Sequence, residues 1–93
     1  MLEYLNKQGV QSNFGFIVQR TGRFTSEYRE NEKKIIIDLN SGVLPNGKFC
    51  EIITPKAFAH WDDGTPISKE KQVEILKNFT EAMEFQGIGV VVE

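Results

Sequence analysis

A single cysteine and a single histidine, Cys50 and His60, leave little room for metal chemistry or disulfide stapling. A zinc site needs several His or Cys ligands, and an intramolecular disulfide needs a second thiol. Neither metal nor cofactor is therefore expected. No apolar run approaches the roughly 18 to 20 residues of a membrane span; the longest, Ile35 to Ile37 and Val90 to Val92, have strand length. Residues Met1 to Val10 carry Glu3, Asn6, Lys7 and Gln8 where a secretory signal would place an apolar core, so the expected compartment is the cytoplasm. No glycine-rich loop precedes a helix: Gly87-Ile-Gly89 leads into the final apolar stretch, which suits a backbone device better than a phosphate cradle.

Surplus positive charge is missing as well. The formal charge is −2, which argues against a nucleic-acid partner, because phosphate binding rests on clustered Lys and Arg. Arg20, Arg23 and Arg29 lie among Phe24 and Tyr28, an arrangement open to base stacking, but Glu27, Glu30 and Glu32 are interleaved with them. A mixed-charge solvent face is the simpler reading. The charge is uneven along the chain: residues 1–48 balance to +2 and residues 49–93 to −4.

What is present suits one folded domain over residues 1–93. Apolar residues make up 40% and charged residues 26%, the usual balance of a globular protein, and 93 residues suffice for one core but not two. Phe14, Phe16 and Val18 alternate with Gly15, Ile17 and Gln19, which predicts a half-buried strand over Asn13 to Arg20. Thr21-Gly22 then turns the chain into a second strand, Arg23 to Arg29, to form a hairpin. After Asn31-Glu-Lys, the stretch Lys34 to Leu39 reads as a central strand buried on both faces. Asn40-Ser-Gly and Pro45-Asn-Gly47 punctuate the chain beyond it, and Lys48 to Thr54 is a fourth strand that Pro55 ends. Residues 1–9 have mixed character and support no assignment.

The best-defined element is a helix beginning at Ser68. Ser68 is an N-cap residue preceded by Pro66, and Glu70 lies in the first turn, where the helix dipole favours a carboxylate. At 100° per residue Ile75, Leu76, Phe79, Ala82 and Met83 share one arc, with Lys71, Glu74, Lys77, Asn78, Glu81 and Glu84 largely opposite. Gly87 sits where a residue of positive φ ends a helix, and Ile88 to Val92 reads as a last strand. The order β-β-β-β-α-β predicts an α+β fold, an antiparallel sheet of about five strands with one amphipathic helix packed on one face and the two apolar strands at its centre.

Catalytic sets are hard to assemble from this inventory. Cys50 alternates with apolar neighbours and reads as a small buried hydrophobe; a nucleophilic pair with His60 would lack a helix N-terminus to activate the thiol. Asp62-Asp63 is the only adjacent carboxylate pair, and Gly64-Thr-Pro66 lacks the further oxygen ligands of a calcium loop. That pair is either a solvated turn leading into the helix or an acidic contact for a basic partner. Trp61 either packs under the helix or anchors an interface. The expectation is a binding protein and not an enzyme, with partner contacts at His60, Asp62 and Asp63 and on the first hairpin at Arg23, Glu27 and Tyr28.

Several features in fixed order carry a family resemblance: Leu44-Pro-x-Gly47 before the strand with Glu51, Trp61-Asp62, Pro66-Ile-Ser68 with Glu70-Lys71, and Phe85-x-Gly87 running to Glu93. From about Ile35 onward the chain resembles the small bacterial immunity proteins of polymorphic toxin systems, most closely immunity protein family seventy-four. The resemblance implies a cytoplasmic protein that binds a cognate secreted toxin domain, a nuclease, an ADP-ribosyltransferase or another intracellular toxin, and neutralises it stoichiometrically. Residues 1–34 match no motif, which would suit recognition of individual toxins. The alternative is a general interaction module or assembly subunit with no toxin partner.

Overall fold

The computed structural model describes residues 2–6, 9–13, 15–22 and 24–92. Arg23 and Phe14, expected on the first hairpin, lie outside the described residues. The chain runs through β1 (Leu2–Asn6), β2 (Gly9–Ser12), β3 (Phe16–Arg20), β4 (Thr25–Glu30), β5 (Lys33–Asp38), β6 (Asn40–Val43) and β7 (Phe49–Ile53). A 3-10 turn over Pro55–Phe58 comes next, then α1 (Lys69–Phe85) and β8 (Gly89–Val92).

Strands β1 to β5 form an antiparallel meander in chain order. Strands β6, β7 and β8 form a second, smaller sheet in which β7 and β8 run parallel, because the chain between them returns through α1. The protein is thus α+β, with one helix and a five-stranded antiparallel sheet among its described residues. The five strands expected from the sequence are shared between the two sheets: β3, β4 and β5 in the first, β7 and β8 in the second.

Three further strands arise where the residues carry little strand signal. Strand β1 lies in the stretch of mixed character and β2 runs from its end through Ser12, each held by the neighbours it pairs with. Strand β6 occupies Asn40-Ser-Gly, whose composition suggests a turn. Gly42 pairs with Cys50 there, and a Cβ on it would come within 2.8 Å of Ile52 Cδ1 and 3.2 Å of Cys50 Sγ. The glycine makes room for the β7 side chains, not for a bend. Leu39, alone between β5 and β6, is buried and donates its N–H to the Phe24 carbonyl at 2.7 Å, fixing the point where the chain leaves one sheet for the other.

The apolar strands end up at sheet ends, not at a centre. β5 is last in the first sheet and β8 last in the second. Ile35 and Ile37 are buried while Ile36 is 42% exposed, so β5 has one wet face. One core cluster joins the elements, with Val10, Phe16, Val18, Tyr28, Ile35 and Ile37 from the meander against Ile75, Phe79, Ala82 and Met83 of α1. The Val, Ile, Phe and Met side chains among them each contribute about 1.5–3 kcal/mol on full burial.

The helix ends follow the expected chemistry. Ser68 Oγ accepts the Lys71 N–H at 3.2 Å. At the other end Gly87 takes φ +82°, its N–H donates to the Glu84 carbonyl, and the Ile88 N–H donates to that of Met83, each at 2.9 Å. That pair of bonds is a Schellman motif.

Candidate functional site: a pinned acidic loop and the hairpin beside it

Residues 59–67 connect the 3-10 turn to the helix cap, and their backbone is closed on itself. His60 and Pro66 form an isolated antiparallel bridge, the Trp61 N–H donates to Thr65 O at 2.9 Å, and the Ile67 N–H donates to Ala59 O at 2.9 Å. At the tip the Gly64 N–H donates to Trp61 O at 2.8 Å, and Asp63 Oδ1 accepts the Thr65 N–H at 2.9 Å. One further bond ties the loop to the meander: the Asp62 N–H donates to the Lys34 carbonyl at 2.7 Å. The loop thereby covers part of the outer edge of β5, which would otherwise present unpaired backbone groups.

Side chains reinforce the same junction. Lys33 Nζ lies 3.4 Å from Asp63 Oδ2 and 3.3 Å from Thr65 Oγ1. Lys34 Nζ stands between Asp62 Oδ2 at 3.9 Å and Glu27 Oε1 at 3.7 Å, and Glu27 Oε2 receives Arg29 Nε at 3.0 Å. Arg29, Glu27, Lys34 and Asp62 are therefore one chain of alternating charge. The hydrogen bonds from the Thr65 side chain and backbone, helped by Lys33, lower the Asp63 pKa from 3.8 to about 2. Asp63 stays ionised wherever a protein normally works.

The expected contact residues separate under this geometry. His60, Asp62 and Asp63 are exposed on the loop, and Glu27 is joined to Asp62 through Lys34. Glu27 itself is only 8% exposed, so its carboxylate organises two cations and offers little surface. Tyr28 is a correction: it is fully buried and stacks on Phe16 at 5.7 Å, and so offers no face to a partner. Successive strand residues alternate faces, and Tyr28 points inward because Glu27 and Arg29 point outward. Its hydroxyl donates to Glu30 Oε1 at 2.7 Å and accepts from Asn78 Nδ2 at 3.0 Å; burial pushes its pKa well above the usual tyrosine value. Glu30 also pairs with Lys71 of the helix. Burial works against the charged form of Lys71, but the bonds to Glu30 and Glu74 outweigh it and raise its pKa.

Lys33, Lys34 and Arg29 are the surface groups that sequence reasoning missed as candidates. The signal was available in the turn. Asn31 and Glu32 both have positive φ, 50° and 66°, as a two-residue hairpin turn requires, and such a turn sets Glu30 opposite Lys33 and Arg29 opposite Lys34. Beside them a depression of about 510 Å³ is lined by Gly15, Ile17, Arg29, Asn31, Lys33 and Lys34, among others.

The motif residues fall elsewhere, in the scaffold. Trp61 is partly buried and packs against the core. Leu44 to Lys48 closes the β6–β7 hairpin, with the Gly47 N–H on Leu44 O at 2.8 Å. Cys50 is a buried free thiol, and Glu51 pairs with Arg20. No group of three or more His, Cys, Asp or Glu among the described residues is placed to hold a metal ion, and no described helix is long and apolar enough to cross a membrane. Comparison with protein families, curated proteins and solved structures finds no match.

Proposed function

We propose that this chain is an immunity protein that binds a cognate secreted toxin domain in the cytoplasm and neutralises it stoichiometrically, without chemistry of its own. The reading starts from the order of motifs between Leu44 and Gly87, and one observation carries it further. The loop that presents His60, Asp62 and Asp63 is already closed by backbone hydrogen bonds and pinned to β5. A loop fixed before encounter loses little conformational entropy on binding.

The charges on it are well placed for exchange. The pairs Lys33–Asp63 and Lys34–Asp62 are half exposed, and pairs of this kind are individually worth about 0–1 kcal/mol. A basic cleft can take over the two carboxylates at little loss, while Lys33, Lys34 and Arg29 remain free to meet acids at its rim. Charge complementarity of this kind speeds encounter and supports partner choice. Tight inhibition would then rest on a few desolvated anchors.

Co-expression with the toxin encoded beside this gene tests the reading: the chain protects the cell, and continued killing sinks the proposal. Asp62→Lys combined with Asp63→Lys weakens the complex about tenfold or more with the fold retained, since close charge pairs at such interfaces couple by more than about 1.4 kcal/mol. Unaltered binding by that variant would move the interface away from the loop.

A further inference from the structure

Strands β1, β5, β6 and β8 stand at the ends of the two sheets, and three of the four carry some protection against pairing with another chain. The outer edge of β5 is partly covered by the loop of residues 59–67, through the Asp62 N–H on the Lys34 carbonyl. Strand β1 carries Glu3, and its register against β2 shifts between Tyr4 and Asn6. Strand β6 contains Asn40 and Gly42, residue types that strands disfavour.

Strand β8 has none of these devices. Its residues are Gly89, Val90, Val91 and Val92, with no charge, no proline and three β-branched side chains. It pairs with β7 along its whole length, from Cys50 with Gly89 to Ile53 with Val92. In such a ladder alternate residues direct their N–H and C=O away from the partner. Among the described residues no loop or turn supplies a backbone hydrogen bond to them. No residue of β8 is buried, and Val91 and Val92 are 37% and 42% exposed. In β7, which has a neighbour on either side, Cys50, Glu51 and Ile53 are all buried. The smaller sheet therefore ends on an apolar strand with its hydrogen-bonding edge open.

We propose that β8 is the interface of a symmetric dimer, in which it pairs antiparallel with β8 of a second copy and the two three-stranded sheets become one of six strands. A two-fold axis allows this, because the same edge then serves both partners. A second copy is the occupant that the strand's chemistry selects. Val90, Val91 and Val92 offer no charge or polar side chain by which a partner of other chemistry would be recognised, and an uncharged strand that meets itself brings no like charges together. The second β8 is also already extended, held by its own β7. A flexible segment of a different protein would lose conformational entropy residue by residue as it ordered. Four residues a side are far fewer than the roughly 20 to 30 of a standard interface, so the dimer is weak and forms with rising concentration. The surface shares no residue with the loop of residues 59–67 and does not depend on the toxin reading.

Sedimentation velocity of the full-length chain over a dilution series tests it: the sedimenting mass rises towards twice that of the monomer as concentration approaches about 1 mM. Val91→Lys sets two like charges near the axis and weakens association about tenfold or more. Val73→Lys, at the most exposed large hydrophobic side chain of the helix, leaves association unchanged, with circular dichroism confirming both folds. Hydrogen exchange on the unaltered chain gives a second reading that needs no variant. Amides within residues 89–92 slow as concentration rises, and those of β1 and β6 do not. A monomer at every concentration overturns the proposal. So does a dimer that survives Val91→Lys, or one whose concentration-dependent protection falls on β1, β6 or the loop instead of β8.

Discussion

Glu32 holds φ +66° at the second position of the β4–β5 turn, a conformation that a side chain with a Cβ resists and glycine accepts. Asn31 before it is suited to its own φ of +50°, so the strain is concentrated in Glu32. Glu32→Gly is expected to raise stability by about 0.5–1 kcal/mol, read as a higher urea midpoint at unchanged slope. A lower midpoint would mean that the Glu32 side chain contributes more than its backbone strain costs. Asp63 poses a residue-scale question of its own. Its pKa is lowered in the fold, so its share of loop stability is fully present above about pH 3.8 and is lost as pH falls towards 2. Trp61, whose N–H and carbonyl both bond within the loop, reports the opening: its fluorescence should change across that window, and Asp63→Asn should remove the pH dependence. The exposed residues His60, Asp62 and Asp63 were legible from sequence because a Gly-Thr-Pro run after them forces a surface turn. Tyr28 was not, because alternation fixes only that neighbours face opposite ways, and an aromatic beside Glu27 and Arg29 fits either side until the helix is placed.

At the scale of elements, the helix was readable almost residue by residue, since its cap, its period and its terminator act within the chain itself. Ile75, Phe79, Ala82 and Met83 are the buried residues, Leu76 is partly buried, and the start at Ser68 and the stop at Gly87 fall where local chemistry puts them. Ser68→Ala should therefore destabilise the protein by about 1 kcal/mol through the lost bond to the Lys71 N–H, whereas Ser68→Asp should be close to neutral. Thermal melts of the two variants separate capping from mere surface change; equal melting temperatures would remove the cap from the account. Strands β1, β2 and β6 lacked this kind of signal. Leu2 to Asn6 and Gly9 to Ser12 are short and of mixed character, and they are held by pairing, β1 with β2 and β2 with β3, to partners that local sequence does not specify. Asn40-Ser-Gly misleads for a related reason: the glycine answers to Cys50 and Ile52 across the ladder, not to a turn.

Over the whole molecule, the charge asymmetry along the sequence does not become an asymmetry in space. Lys33 and Lys34 from the basic half meet Asp62 and Asp63 from the acidic half, and Arg20 of β3 meets Glu51 of β7 at 2.9 Å. The last of these pairs is a polar tie between the two sheets, formed over a sequence separation of 31 that no local pattern reveals. Glu51 is nearly buried and its Oε2 has no hydrogen-bond partner among the described residues, so the carboxylate leans heavily on Arg20. Removing one partner of a fully buried pair costs about 3–5 kcal/mol, and the 26% side-chain exposure of Arg20 reduces that to about 2 kcal/mol for Arg20→Ala. Most of that loss comes from the carboxylate left behind, not from the missing attraction. Arg20→Ala combined with Glu51→Leu should accordingly be more stable than Arg20→Ala alone, although it removes a second native group. Because a single core cluster runs from Val10 to Met83, both variants should still unfold in one transition, with circular dichroism and Trp61 fluorescence coinciding. A double variant no more stable than the single one would show that Arg20 acts through its packing and its bond to the Gly22 carbonyl, and that the sheets are joined by their apolar contacts alone.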